Sequence, residues 1–160
     1  MPPVESLEQS MTADHVAPEA LEIPRNILDA MIAHCVREAP LECCGILGGI
    51  APPLVTSIYR LRNESQSETR YSADPHDLIN TQLELRRSGE DILAIYHSHP
   101  RWEAIPSRTD LAENYYGEVP RIIVSLLGDS PDVRVWRLDP DSFEEVRWRI
   151  VEPATGSPRA

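Results

Sequence analysis

One segment near the middle of the chain constrains the possible folds of this sequence more than any other. It reads His97-Ser98-His99-Pro100, then six residues, then Ser107, then two residues and Asp110. The run before it, from Asp91 to Tyr96, is mostly apolar and is typical of a buried strand. Because alternate side chains of a strand share a face, His97 and His99 should converge at its end, where Pro100 stops the pairing.

The second half of this segment predicts the start of a helix. Ser107 suits the N-cap and Asp110 the third helical position, which brings a carboxylate back towards the end of the strand. Two imidazoles and one carboxylate can hold zinc and leave the fourth tetrahedral position for water, as in catalytic sites. Taken alone, however, Ser-x-x-Asp is also a common capping box, so a purely structural role for this pair is an alternative.

A catalytic metal site also needs a group that accepts a proton. The zinc peptidase motif His-Glu-x-x-His is absent from the chain, so the base must lie elsewhere. Glu42 is the best candidate because it opens an otherwise apolar, strand-like run that ends at Gly49. The alternative is that Glu42 is a solvated residue at the edge of a strand.

These two motifs together resemble the JAMM family of zinc metalloproteases, also called MPN-plus or Mov34-like, and in particular its short bacterial-type members. Glu42 stands in a Glu-x-Cys-Gly-Ile-Leu-Gly setting, followed by His-x-His-Pro-x6-Ser-x2-Asp. The resemblance covers residues 21 to 151 and fills all five functional positions. It implies that His97, His99 and Asp110 bind one zinc ion, that Glu42 is the general acid and base, and that Ser107 stabilises the oxyanion.

The same resemblance implies a substrate and a partner. Members of the family hydrolyse the bond after the C-terminal Gly-Gly of ubiquitin or a ubiquitin-like protein, and short bacterial-type members act with sulfur-carrier proteins. A narrow groove would suit such a tail because it excludes larger side chains. Trp102 lies between the ligands in sequence and is a candidate substrate-binding residue, although packing on the surface is equally compatible with its position.

Two other classes of protein must be weighed. A non-catalytic MPN-type scaffold that binds proteins would keep the fold but would not need Glu42, Ser107 and all three ligands together. A zinc deaminase would show His-x-Glu and Pro-Cys-x-x-Cys, whereas Cys43 and Cys44 are adjacent and neither pattern is present. The adjacent cysteines are interpreted as small buried residues behind Glu42.

Composition limits the classes of partner and the cellular compartment that we expect. A net charge of −11 argues against nucleic acid, which requires a basic face. No apolar run reaches membrane-spanning length and no secretory leader is visible, so no membrane partner is expected. Three cysteines make no disulfide framework, which favours a reducing cytoplasm. A homodimer is compatible with the sequence.

The pattern of elements predicts an α/β fold. Residues 1–20 and 152–160 are expected to be disordered tails around one catalytic domain of residues 21–151. Within it we expect a mixed β-sheet flanked by helices, and the resemblance implies the JAMM/MPN fold, which is cytidine-deaminase-like. Helices are predicted at 24–38, 77–88 and 108–116. Strands are predicted at 43–49, 54–62, 71–73, 91–96, 121–127, 133–138 and 143–151, the last three antiparallel.

Overall fold

The computed structural model describes residues 21–153, so the predicted N-terminal tail and residues 154–160 lie outside the described part of the chain. Its strands are β1 (Leu21–Pro24), β2 (Cys44–Gly49), β3 (Ser57–Leu61), β4 (Asp91–His99), β5 (Arg121–Ser125), β6 (Asp132–Leu138), β7 (Phe143–Val146) and β8 (Trp148–Val151). Its helices are α1 (Arg25–Glu38), α2 (Pro75–Ser88) and α3 (Arg108–Ala112). None of these helices is long and apolar enough to cross a membrane.

Six of the strands form one sheet in the order β3-β2-β4-β5-β6-β7. Every neighbouring pair is antiparallel except β4 and β5, which run parallel. Parallel neighbours need a crossover connection, and residues 100–120, which carry α3, make it. The predicted α/β class, a mixed sheet with helices against it, is confirmed.

The two faces of this sheet bury different sets of side chains. On one face, Met31 of α1 packs with Tyr96 and Val124. On the other, Leu85 of α2 packs with Ile95. Because side chains alternate along a strand, His97 and His99 share the face of Ile95, whereas Ser98 shares the face of Tyr96. The histidines therefore face the same side of the sheet as α2.

The structure corrects the prediction for the end of the chain. The segment 143–151 was expected to be one strand of an antiparallel group, but it is divided at Arg147 into β7 and β8. β8 leaves the main sheet and pairs in parallel with β1. β1 was not predicted because four residues are too few for period-two alternation to be recognised, although Leu21 and Ile23 are fully buried.

Several further elements are shorter than predicted. β3 begins at Ser57 instead of residue 54, and β5 ends at Ser125 instead of residue 127. Residues 71–73, expected to be a strand, make only an isolated bridge at Ala73. The helix expected to extend to residue 116 ends at Ala112. The Asn114 side chain donates to the Gly117 carbonyl at 3.1 Å and accepts from Arg121 at 2.7 Å. Such side-chain bonds compete with continuation of the helix.

Candidate active site

Three potential ligand atoms converge at the end of β4. His97 Nε2 and His99 Nε2 lie 3.2 Å apart. Asp110 places Oδ1 at 3.2 Å from His97 Nε2 and Oδ2 at 3.2 Å from His99 Nε2. Donors about 2.0 to 2.1 Å from a tetrahedral zinc ion are separated by roughly 3.3 Å. The spacing and the chemistry of this donor set therefore fit zinc.

Neighbouring groups hold both imidazoles in place. His99 Nδ1 lies 2.7 Å from the Glu103 carbonyl oxygen, which can only accept a hydrogen bond. Nδ1 therefore carries a proton, which leaves Nε2 as the nitrogen of the neutral ring that can bind a metal. The ring of Tyr71 stacks on His97 with 4.8 Å between centroids. Tyr71 was missed in the sequence because it lies in a polar stretch distant from the motif, with no spacing that signals the contact.

Asp110 both caps α3 and faces the histidines. Its backbone N–H donates to Ser107 Oγ at 3.0 Å, and the Ser107 N–H donates to Asp110 Oδ2 at 2.8 Å. The capping box and the contacts with the imidazoles coexist, so they are not alternatives. Burial acts to raise the pKa of Asp110, but the charge of His97 and hydrogen bonds from His97, His99 and the Ser107 N–H hold it below its usual range. Asp110 is therefore an anion at neutral pH.

Glu42 lies just before β2, next to the histidines. The antiparallel pairing of Cys44 with His97 places Glu42 across from His99 when the register is continued by two residues. Each of the three side chains offers a ligand atom within 4.8 Å of the other two. Glu42 is only 3% exposed, so the alternative of a solvated residue at a strand edge does not hold.

The environment of the Glu42 carboxyl differs from that of Asp110. Glu42 Oε1 is buried and has no hydrogen-bond partner among residues 21–153. Burial raises the pKa of Glu42 to about 8, against the opposing effect of His99 and with a further increase from the charge of Asp110. A buried carboxyl that titrates near neutral pH is suited to proton transfer.

Two side chains that sequence reasoning did not assign to the site position the Glu42 backbone. Ser98 Oγ accepts from the Cys43 N–H at 2.9 Å, and the Ser98 N–H donates to the Cys43 carbonyl at 3.0 Å. Asn63 Nδ2 donates to the Glu42 carbonyl at 2.9 Å. A local sequence pattern could have indicated the structural role of Asn63, since asparagine favours an Asx-turn at the start of a loop. Its Oδ1 accepts from the Ser65 N–H at 3.0 Å in this geometry.

The remaining cysteines and histidines of the described chain are not in the group that could hold a metal. Cys43 and Cys44 are buried free thiols, as predicted, and neither belongs to the group that could hold a metal. His34 is buried with Nδ1 at 2.7 Å from the Tyr96 hydroxyl. His76 is exposed on α2, and His15 lies outside the described residues.

An open groove of about 880 Å³ leads to the site. Its lining includes Glu42, His99 and Ser107, which face the reacting centre, and an apolar rim that consists of Trp102, Ile105 and Leu127. Trp102 is 59% exposed and Leu127 is 57% exposed. The structure thus places Trp102 in the wall of the groove.

Comparison with known proteins identifies the class to which this fold and site belong. Residues 24–139 match the family model described as prokaryotic homologs of the JAB domain. This chain therefore belongs to the prokaryotic JAB domain family, as its resemblance to JAMM proteins predicted.

Several relatives have names that describe peptidases. The chain is 40% identical over 104 residues to a probable TtuB-protein conjugate cleaving protease of Thermus thermophilus, covering 64% of this chain and 68% of the relative. It is 32% identical over 140 residues to the CysO-cysteine peptidase of Mycobacterium tuberculosis, covering 84% and 85%. A desampylase of Haloferax volcanii is 28% identical over 96 residues, covering 56% and 69%. These names confirm the predicted class of enzyme, a peptidase.

Solved structures agree with the fold. A solution structure of a protein from Desulfitobacterium hafniense superposes with a TM-score of 0.77 at 27% identity, covering 84% of this chain and 95% of that one. A crystal structure of a JAB1/MPN domain protein from Archaeoglobus fulgidus gives a TM-score of 0.57 at 20% identity, covering 82% and 97%. The second likeness concerns the fold alone.

Proposed function

We propose that this protein is a zinc-dependent peptidase that hydrolyses the amide bond after the C-terminal Gly-Gly of a ubiquitin-like or sulfur-carrier protein. The observation that carries the proposal is the triangle of ligand atoms from His97, His99 and Asp110, with the buried carboxyl of Glu42 beside it. The relatives named for TtuB conjugates and for CysO-cysteine support the class of substrate.

His97, His99 and Asp110 would hold the metal. Two neutral imidazoles and one carboxylate leave a zinc ion with an open coordination position and a net positive charge. Zinc bound there would supply Lewis acidity to the attacking water and to the scissile carbonyl. Side chains of the protein would transfer the proton and stabilise the oxyanion.

Glu42 would carry the proton. The water oxygen bonds to the carbonyl carbon, and the Glu42 carboxylate accepts the proton that the water loses. Glu42 then donates this proton to the amine nitrogen as the carbon–nitrogen bond breaks, giving a carboxylate on the carrier and a free amine. A pKa of about 8, which burial produces, lets the carboxyl act in both directions near neutral pH.

Ser107 would stabilise the oxyanion. Its Oγ accepts a hydrogen bond from the Asp110 N–H at 3.0 Å, so its own hydrogen is left to be donated. Ser107 lines the same groove as Glu42 and His99, which supports a role for its hydroxyl at the reacting carbonyl. A donor already held in place by a helix cap needs little reorganisation during the reaction.

The groove would receive the tail of the carrier. Glycines would let the extended tail lie close to the wall without side chains that clash, and the backbone of the tail would supply most of its hydrogen bonds. The exposed apolar rim of Trp102, Ile105 and Leu127 would contact the folded body of the carrier. Selectivity would then come from docking of that body as well as from the tail.

The test is cleavage of a small carrier protein that ends in Gly-Gly and carries one added residue at its C-terminus. Mass spectrometry should show release of that residue by the zinc-loaded protein and no release after the last glycine is replaced by phenylalanine. Full zinc loading without cleavage of any such carrier would refute the peptidase and favour the protein-binding scaffold. Efficient cleavage of short peptides with large residues at both positions would indicate a general peptidase instead.

A further inference from the structure

We propose that a cavity lined by Asp110 and Arg121 is a carboxylate-binding subsite, in which Arg121 takes the α-carboxylate of the amino acid released from the carrier. This inference rests on the proposed peptidase function and names the class of leaving group. The cavity has a volume of about 260 Å³, and Tyr71, Asp110 and Arg121 are among its lining residues. It is slightly smaller than the roughly 300 to 1,000 Å³ typical of sites for drug-sized ligands, a size suited to one amino acid.

Arg121 is a buried cation without an anionic partner. The residue is 3% exposed. Nη1 donates to the Tyr71 hydroxyl at 2.9 Å, Nη2 donates to Asn114 Oδ1 at 2.7 Å, and the guanidinium lies 5.5 Å from the centre of the Tyr116 ring. Within residues 21–153, Nε has no hydrogen-bond partner and no carboxylate forms an ion pair with Arg121. Burying an uncompensated charge is costly, and an anionic ligand would remove that cost.

The other charged side chains of the cavity are already engaged. Arg70 forms an ion pair with Glu113. Asp110 faces the two histidines of the site. Arg121 is therefore the charge in this lining that is left for a ligand. A guanidinium fork binds carboxylates in two parallel hydrogen bonds, which an ammonium group does not reproduce.

The register of the sheet places Arg121 near the reacting centre. β4 and β5 are parallel, with Ile95 opposite Arg121 and His97 opposite Ile123. Arg121 thus shares the face of His97 and lies two residues before the level of that histidine, about 7 Å along the strand. In a released amino acid the carboxylate carbon is two bonds from the nitrogen, so its oxygens lie within roughly 4 Å of the nitrogen of the cleaved bond. Tyr71, which stacks on His97 and accepts a hydrogen bond from Arg121, links the two places directly, so a leaving group at the metal site could reach the guanidinium.

The two pockets adjoin at the start of α3. Thr109 lines both the open groove and the Arg121 cavity, and Asp110 follows it directly. The carrier tail would occupy the groove with Glu42 and Ser107, while the leaving group would occupy the cavity. The Tyr71 hydroxyl, which accepts from Arg121, retains a hydrogen to donate to the carboxylate. A lysine side chain of a protein target would bring no carboxylate to this position, so adducts of free amino acids are favoured over isopeptides.

The experiment compares two adducts of the same Gly-Gly carrier, one ending in alanine with a free carboxylate and one ending in alaninamide. Wild-type protein should cleave the free acid with a kcat/KM about 10- to 100-fold higher, the range expected for a charge-assisted hydrogen-bond pair. Arg121→Met should reduce this ratio to near one, and Arg121→Lys should restore part of it. The matched control Arg70→Gln, which removes the paired arginine of the same cavity, should keep the ratio. An equal loss on both adducts in Arg121→Met would show a structural role instead.

A second measurement does not depend on turnover or on the variant folding. In zinc-loaded wild-type protein, the Arg121 Nε–H resonance should shift when L-alanine is added and should not shift with L-alaninamide. If wild-type protein cleaves both adducts equally well, the carboxylate subsite is refuted while the peptidase function stands. If neither adduct is cleaved, the proposed function fails, and the resonance alone decides whether the cavity binds carboxylates. No shift with saturating L-alanine would overturn the proposal.

Discussion

Replacing Glu42 by glutamine should stabilise the metal-free protein, and it should remove hydrolysis by the zinc-loaded protein. The carboxyl is almost fully buried, and one of its oxygens has no hydrogen-bond partner in the described chain. Glutamine is close to it in size but does not ionise. The substitution therefore removes the free-energy cost of burying a charge while it keeps the packing of the side chain. A gain in stability is expected here if the site gives up stability for function.

The magnitude follows from the pKa of Glu42, which burial raises from 4.5 to about 8. Each unit corresponds to about 1.4 kcal/mol. Because the pKa of Glu42 is higher in the folded state, ionising its carboxyl lowers the free energy of unfolding. This loss is absent below the unfolded pKa and grows as the pH rises towards 8. The wild-type protein should lose about 3 to 4 kcal/mol by pH 7 and about 5 kcal/mol above pH 8 relative to pH 4.5. Glu42→Gln should not show this loss.

Urea unfolding of the chelated proteins at pH 5, 6, 7 and 8 measures the difference. The gap between Glu42→Gln and wild type should widen by about 1.4 kcal/mol per pH unit up to pH 8. Glu90→Gln is a control of opposite sign. Burial of Glu90 acts to raise its pKa, but hydrogen bonds from Ser57 and Thr56 lower it, so its carboxylate stabilises the fold above its unfolded pKa.

The activity of the same variant completes the test. Glu42→Gln should keep a full equivalent of zinc while kcat falls by about a hundred- to ten-thousandfold, the usual contribution of a general acid or base. Parallel pH curves for wild type and Glu42→Gln would show that burial does not raise this pKa. Substantial hydrolysis by the zinc-loaded variant would mean that another group carries the proton.

Three further substitutions test other parts of the site. His97→Ala should lose tight zinc binding while the exposed His76→Ala keeps it; elemental analysis that finds full zinc in His97→Ala would contradict the ligand assignment. Ser107→Ala should lower kcat by about a hundredfold and cost about 1 kcal/mol of stability, whereas a change in KM alone would make Ser107 a binding residue or only a cap. Gly45→Ala should cost about 1 to 3 kcal/mol in urea unfolding, because its Cβ would overlap the Tyr96 ring; a loss below about 0.5 kcal/mol would show that the ring moves freely.

The ligand-bearing part of the fold could be predicted because its signals are local. A strand that ends in His97 and His99 and a capping box that delivers Asp110 are both written in consecutive residues. Glu42 was assigned to the site only through the family pattern, since its sequence neighbourhood fits an exposed strand edge equally well. Its proximity to the histidines depends on the register between β2 and β4, which no local pattern specifies.

The parts that escaped prediction depend on contacts distant in sequence. Tyr71 reaches His97 from a polar loop, and Arg121 reaches Tyr71 across 50 residues. Arg121 begins β5, where a charged residue is normally interpreted as the solvated end of a strand. Only the tertiary arrangement shows that it is 3% exposed and faces a cavity. The pairing of β8 with β1 was missed for the same reason, since it joins the two ends of the described chain.

The order of the strands explains why the functional groups meet at this point. β4 has an antiparallel neighbour, β2, on one side and a parallel neighbour, β5, on the other. The antiparallel neighbour β2 begins where β4 ends, so Glu42, two residues before β2, lies beside the histidines. The parallel neighbour β5 requires a crossover, and that crossover carries Ser107 and Asp110 back over the same end. Ser98, between the two histidines but on the opposite face, accepts a hydrogen bond from the Cys43 backbone and fixes the register that brings Glu42 and the histidines together. The groups that we propose as base, metal ligands and oxyanion donor thus all meet at one strand end.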